Sequence, residues 1–196
     1  MKKWKTWKII LFVAGCICLN IGGKMLAKWA ELPLWADSFG TALCASIGGP
    51  VCGALVGFTS NMAYCVVNRL SAAYSITNIA LGIIIGWAVQ KKWFDEFYGF
   101  MKAASLAMFT ALVVSVPIDL ILDKGFTGNK WGDGIVEYFL NQNWPIVLCT
   151  ILGQLALEFA DKLITIAAVY LVILLRRMRK NQRLGQAMGQ IGRAHV

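Results

Sequence analysis

Five ionisable side chains, Asp37, Asp119, Glu158, Asp161 and Lys162, fall inside apolar segments of a 196-residue chain. Charge within a membrane-spanning segment is expensive and marks a ligand, an ion path or a paired partner. Glu158 and Lys162 stand four residues apart, so one helical face can bring them together. A structural pair and a ligand-binding pair both fit that spacing. Asp161 lies at a neighbouring angle with no local partner, which makes it the better binding candidate, and Asp161→Asn is expected to weaken ligand binding while leaving the fold intact. Asp37 and Asp119 fall near segment ends, where each is either a solvated charge or a ligand contact. Five amides, Asn20, Asn61, Asn68, Asn78 and Gln154, can bind a polar solute or join helices by hydrogen bonds. Trp35, Tyr64 and Tyr74 offer flat faces for a planar ligand or anchors at the lipid headgroups.

These residues form no catalytic set. There is no metal-ligand cluster, no GxSxG elbow and no P-loop, so the chain reads as a protein without enzymatic activity, cofactor or metal site. Any ATP-driven work must come from another polypeptide. The six cysteines (Cys16, Cys18, Cys44, Cys52, Cys65, Cys149) lie in apolar segments without CxxC spacing and read as small buried packing residues.

The elements that position these groups follow from composition: 58% hydrophobic residues against 15% charged is too apolar for a soluble surface. A span needs roughly 20 apolar residues. The chain therefore reads as all-α, a bundle of six transmembrane helices in one membrane domain over residues 1–180, with residues 181–196 as a cytoplasmic tail. The first span covers residues 7–23, read as an uncleaved segment, and a loop covers 24–33. The long apolar stretch 34–67 is broken at Gly48-Gly49-Pro50, which predicts a hairpin of spans 34–48 and 50–67. A re-entrant loop there, giving four crossings, fits as well. The fourth, fifth and sixth spans are residues 72–89, 102–122 and 145–175, the last roughly 46 Å long at 1.5 Å per residue. Residues 93–101 read as an amphipathic piece along the interface, and 123–143 as the longest external loop, with Trp131, Tyr138 and Trp144 at headgroup level. Gly49, Gly53 and Gly57, and likewise Gly82 and Gly86, recur every fourth residue and predict close helix packing; Ala14, Cys18 and Gly22 give the first span a similar face.

The net charge of +9 is concentrated at Lys2, Lys3, Lys5 and Lys8 and at Arg176, Arg177, Arg179, Lys180 and Arg183. With Lys91 and Lys92 after the fourth span, the positive-inside rule places both termini in the cytoplasm and accounts for the charge without a nucleic-acid partner. Residues 191–196, which include the sole histidine, His195, resemble the translation of a sequencing adapter and are expected to be an artefact of the gene record.

Two segments, Leu32-Pro33-Leu34-Trp35-Ala36-Asp37-Ser38-Phe39-Gly40-Thr41 and Gly48-Gly49-Pro50-Val51-Cys52-Gly53-Ala54-Leu55-Val56-Gly57, make the chain similar to the substrate-binding S component of energy-coupling-factor (ECF) transporters. Similar segments also occur as membrane input domains of some bacterial sensor kinases. The resemblance implies a six-helix protein of the bacterial cell membrane that captures a vitamin or related micronutrient from outside. It implies docking on a shared transmembrane coupling protein with two cytoplasmic ATPases, through small residues of the first helix. Ala14 matches that pattern, Cys18 departs from it and Gly22 extends it. The ligand is expected between the outer halves of the helices and the loops near Pro33 and Asn129, and the acidic residues favour positive charge or many donors. The alternative is a sensor that reports the ligand without moving it.

Overall fold

The structure, a computed structural model, describes residues 6–194; Lys2, Lys3 and Lys5 of the N-terminal basic cluster, and His195, lie outside the described residues. Among the described residues the chain is all-α, with seven α-helices: α1 (Thr6–Trp29), α2 (Phe39–Gly48), α3 (Pro50–Tyr64), α4 (Ser75–Gln90), α5 (Phe97–Leu122), α6 (Lys130–Leu140) and α7 (Ile146–Ala194). Single 3-10 turns, Arg69–Ala72 and Trp93–Asp95, lead into α4 and α5. Three segments are long and apolar enough to cross a membrane: Thr6–Trp29, Arg69–Gln90 and Phe97–Leu122. Their outer faces are apolar, with Leu11 62% and Ile121 78% exposed, a surface suited to lipid rather than water.

The break at Gly48-Gly49-Pro50 has a direct physical cause. Gly49 adopts φ +88°, a conformation costly for any residue with a Cβ, and Pro50 opens α3 at a position where its missing N–H is harmless. The chain reverses there, and α2 folds back along α3. Gly49 is thus the pivot of a hairpin rather than part of a helical packing stripe. The other glycines do pack helices. A Cβ on Gly53 would sit 2.5 Å from the Ala45 Cβ, one on Gly57 2.6 Å from the Asn78 carbonyl oxygen, one on Gly82 2.5 Å from the Gly53 backbone, and one on Gly86 2.4 Å from the Pro50 nitrogen. Backbone therefore meets backbone along the α3–α4 seam.

Several boundaries differ from the sequence reading. Helix α1 continues past residue 23 to Trp29, so Lys24 is helical rather than in a loop. At about 1.5 Å per residue α2 is about 15 Å long, half of a roughly 30 Å hydrocarbon core. Residues 93–101 form no separate interfacial helix: a 3-10 turn is followed by α5, whose first turn already contains Phe97 and Phe100. The supposed loop 123–143 holds α6, an amphipathic helix whose Asn129 side chain accepts from the Trp131 N–H at its start. Helix α7 runs to Ala194, well beyond residue 175.

Packing divides the bundle into two ends. Around Phe94, which is 1% exposed, α2, α4, α5 and α7 meet through Ala42, Ala45, Leu81, Ile85, Ala103, Ala107, Ile166 and Val169. Trp87 meets Trp93 edge-on at 5.0 Å, and Phe100 meets Tyr170 at 5.7 Å. Arg177 of α7 pairs with Asp95 at the same end. A smaller cluster joins Cys16, Cys44 and Val56 of α1, α2 and α3. All six cysteines are free thiols; Cys16, Cys44 and Cys149 are buried as expected, whereas Cys18 is exposed on the outer face of α1. At the opposite end the same helices bury polar groups instead.

Candidate functional site

The polar end is assembled by the connections as much as by the helices. The segment 30–38 after α1, the 3-10 turn before α4 and the segment 123–129 before α6 converge there on the C-terminal parts of α1 and α5 and the N-terminal parts of α4 and α7. A chamber of about 80 Å³ lies among them, walled by Lys24, Trp35, Asp37, Tyr74, Asn78 and, from α7, Gln154, Glu158 and Lys162. Asn68, Leu70, Ser71, Thr77, Ser115, Asp123, Thr127 and Gly128 complete its wall. A second chamber of about 210 Å³ shares Lys24, Trp35, Asn68 and Gly128 with the first and extends toward Lys28, Glu31, Asn129 and Lys130.

Lys24, Lys162, Glu158 and Asp37 are each held by a specific partner. Lys24 Nζ lies 3.2 Å from Asp37 Oδ2 and also donates to Asn61 Oδ1 at 3.4 Å and Ser71 Oγ at 3.3 Å. It sits 5.1 Å above the Tyr64 ring, a cation–π contact that further fixes the ammonium. Lys162 Nζ lies 2.9 Å from Glu158 Oε2 and 2.7 Å from Asp161 Oδ2, so the one-turn pairing expected for Glu158 and Lys162 is present and fully buried. Asp119, expected near a solvated helix end, is instead 0% exposed. Tyr74 donates its hydroxyl to one Asp119 oxygen, and Gln154 Nε2 donates to the other at 2.5 Å.

Asp161 departs most from its expected role. It accepts from the Ala36 backbone N–H at 2.7 Å, from Ser38 Oγ at 3.2 Å and from Lys162. With both oxygens engaged and no place among the lining residues of either chamber, it clamps the 30–38 segment onto α7. Ala36 and Ser38 lie more than a hundred residues upstream, out of reach of local spacing, whereas the third partner, Lys162, is the next residue in the chain, so the expectation of no local partner does not hold. Asn20 has a similar task. Its Oδ1 accepts from the Gly40 and Thr41 backbone N–H groups at 2.7 and 3.3 Å, and its Nδ2 donates to Thr41 Oγ1 at 2.8 Å and Ser60 Oγ at 3.0 Å. The Ser38 side chain makes no cap, so Asn20 of α1 satisfies the open first turn of α2.

Of the sequence candidates, the structure thus brings Trp35, Asp37, Tyr74, Asn78 and Glu158 to the chamber wall. Asn61 stands one layer behind, accepting from Ser71 Oγ at 2.9 Å, and Asp119 supports Tyr74 and Gln154 from behind. Lys24, Thr77 and Ser115 were missed. Lys24 was legible in principle: Cys16, Asn20 and Ala27, all buried, continue an inward face at helical spacing past residue 23. Gln154 gains its place from the stripe Thr150, Gln154, Glu158, Asp161, Thr165, buried polar residues spaced one turn apart along α7.

Two acceptors in this wall stand out. Among the described residues, Gln154 Oε1 and Glu158 Oε2 are the buried side-chain atoms without a hydrogen-bond partner, Glu158 Oε2 having Lys162 at ion-pair distance but not in hydrogen-bond geometry. The small face of α1 lies elsewhere: Ala14, Cys18 and Gly22 are exposed on the outside of the bundle, and a Cβ on Gly22 would meet nothing within 4 Å. They pack no helix of this chain. Trp131 and Tyr138 are likewise exposed on α6, with the Trp131 indole donating to the Glu31 carbonyl at 2.7 Å, and Trp144 is exposed just before α7. No protein-family model, curated protein or solved structure matches the chain.

Proposed function

We propose that the chain is the substrate-capture component of an ECF-type importer, a six-span protein of the bacterial cell membrane with both termini inside, which binds a vitamin or related micronutrient in the polar chamber. The observation that carries this reading is the chamber itself: buried charges and amides gathered at one end of a bundle whose outer surface is apolar. A bundle needing only stability in lipid has no use for that concentration of charge. The basic residues Lys91, Lys92 and Arg177 gather at the other end, near Asp95, as the positive-inside rule requires if the chamber faces outward. The exposed small face at Ala14, Cys18 and Gly22 supplies a surface for a coupling-protein helix, and the two ATPases supply the energy this chain has no motif to capture.

Crossing the bilayer six times requires the short α2 to be completed by the irregular segment before it. The solute enters between the 30–38 and 123–129 segments, and the bundle reorients when the partners hydrolyse ATP. Co-expression with an ECF coupling protein and its ATPases tests the reading. Co-purification with those partners and uptake of a labelled vitamin is the expected result; stable binding without uptake in their presence contradicts it.

One observation favours a second reading, a ligand sensor. Gln154, Glu158 and Lys162 belong to the same continuous 49-residue helix as Arg177, and that helix is about 73 Å long at about 1.5 Å per residue. A rod joining the chamber to the far end could report occupancy without transport.

A further inference from the structure

We infer that the inner chamber takes a flat, single-ring cation whose N–H groups donate to Gln154 Oε1 and to the Glu158 carboxylate. This rests on reading the chamber as a ligand site. Gln154 Oε1 is a buried acceptor without a donor, and Glu158, whose Oε2 has only the ion pair to Lys162 at 2.9 Å, lines the same chamber, so the wall is short of donors. Both belong to α7, four residues apart, and so open on the same side of the helix.

The remaining groups argue the same way. The two ammonium groups at the wall are already committed, Lys24 to Asp37 at 3.2 Å and Lys162 to Asp161 and Glu158 at 2.7 and 2.9 Å. Tyr74 spends its hydroxyl proton on Asp119, and Gln154 spends an amide proton there too. Donors are thus consumed internally, while Gln154 Oε1 is left without one. The charges agree: Asp37, Glu158 and Asp123 at the wall, with Asp119 and Asp161 directly behind it, face only Lys24 and Lys162. An anion would meet carboxylates with no uncommitted ammonium group among these wall residues.

Size and shape narrow the ligand further. A water needs roughly 10–15 Å³ of such space, so the inner chamber holds about six waters or one small ring. Trp35 and Tyr74 supply aromatic faces at its wall, which favour a planar cation. A bulkier remainder of the ligand fits the outer chamber, reached past Trp35 and Asn68.

Three shape-matched probes test the inference on the purified full chain: benzamidine, a planar cation with N–H donors; benzamide, neutral with one donor group; and benzoate, an anion without donors. Calorimetric titration is expected to rank them in that order, with benzamidine binding at least about tenfold more tightly than benzoate and losing about tenfold or more in Glu158→Gln, as for one charge-assisted hydrogen bond. Benzoate binding as tightly as benzamidine, no binding of any probe, or unchanged benzamidine affinity in a folded Glu158→Gln each overturns the donor assignment. The ranking on the unmodified chain stands even if the variant does not fold. Co-purification and uptake use none of these compounds, so the capture reading fails or survives separately.

Discussion

Around Phe94 the helices meet through alanines and aliphatic side chains, while around Asp37 and Glu158 the same helices meet through amides, hydroxyls and charges. The apolar end needs only shape. Small residues let backbones approach, and the side chains bury without leaving polar atoms to satisfy. At the polar end each group requires a partner of the right sense, and nearly every one finds it: Asn20 makes four hydrogen bonds and Asp161 three, but Gln154 keeps an oxygen unused and Glu158 Oε2 has only its ion pair to Lys162. The difference teaches where selection for fold ends and selection for function begins. Groups satisfied within the chain hold the chamber open; groups left unsatisfied are available to something outside the chain.

Substitutions at the two ends can break or sharpen that contrast. The largest effect is expected from Gly53→Leu, because a Cβ there already overlaps Ala45 of α2 and crowds Gly82 of α4, and a leucine must push α3 away from both. A loss of about 3 kcal/mol or more is expected from such overpacking, read as a collapse of folded yield in detergent; an unchanged yield and melting temperature would remove the glycine seam from the account. Next comes Asp161→Asn, which weakens the clamp on Ala36 and Ser38 and leaves Lys162 with a single carboxylate. The expected cost is about 1–3 kcal/mol in ligand-free protein. A variant as stable as the parent but with weakened binding would return Asp161 to the ligand wall, the role its sequence position first indicated.

Cys18→Leu should have the smallest effect on the isolated protein. The side chain points away from the bundle, so the melting temperature should stay where it is. Capture by the coupling protein should nevertheless fall, since the leucine fills the gap a partner helix would occupy. Equal recovery of the complex would move docking to another face.

Much of the apolar end was legible in the sequence because its signals are local. Gly48-Gly49-Pro50 announces a reversal by backbone chemistry alone, and the four-residue glycine spacing at Gly53, Gly57, Gly82 and Gly86 announces close approach before any partner is known. Glu158 and Lys162 were also readable, being one turn apart. The polar end was read less well because its contacts are long-range. Asp161 binds residues 36 and 38, Asp119 binds residues 74 and 154, and neither pairing leaves a trace in spacing. Lys24 misled for a different reason: a charge at the end of an apolar run signals a loop, yet here it turns inward to Asp37 and the helix continues to Trp29. Helix α6 was hidden by its polar face, which reads as loop until alternation at helical period is sought across residues 130–140.

The central claim is that the unpartnered Gln154 oxygen and the Glu158 carboxylate mark a chamber built for a small molecule. Native mass spectrometry of the freshly purified chain beside Glu158→Gln tests it most directly. The account predicts a small-molecule adduct on the parent that is depleted in the variant; the bare mass for both, or the same adduct on both in equal amount, would contradict it.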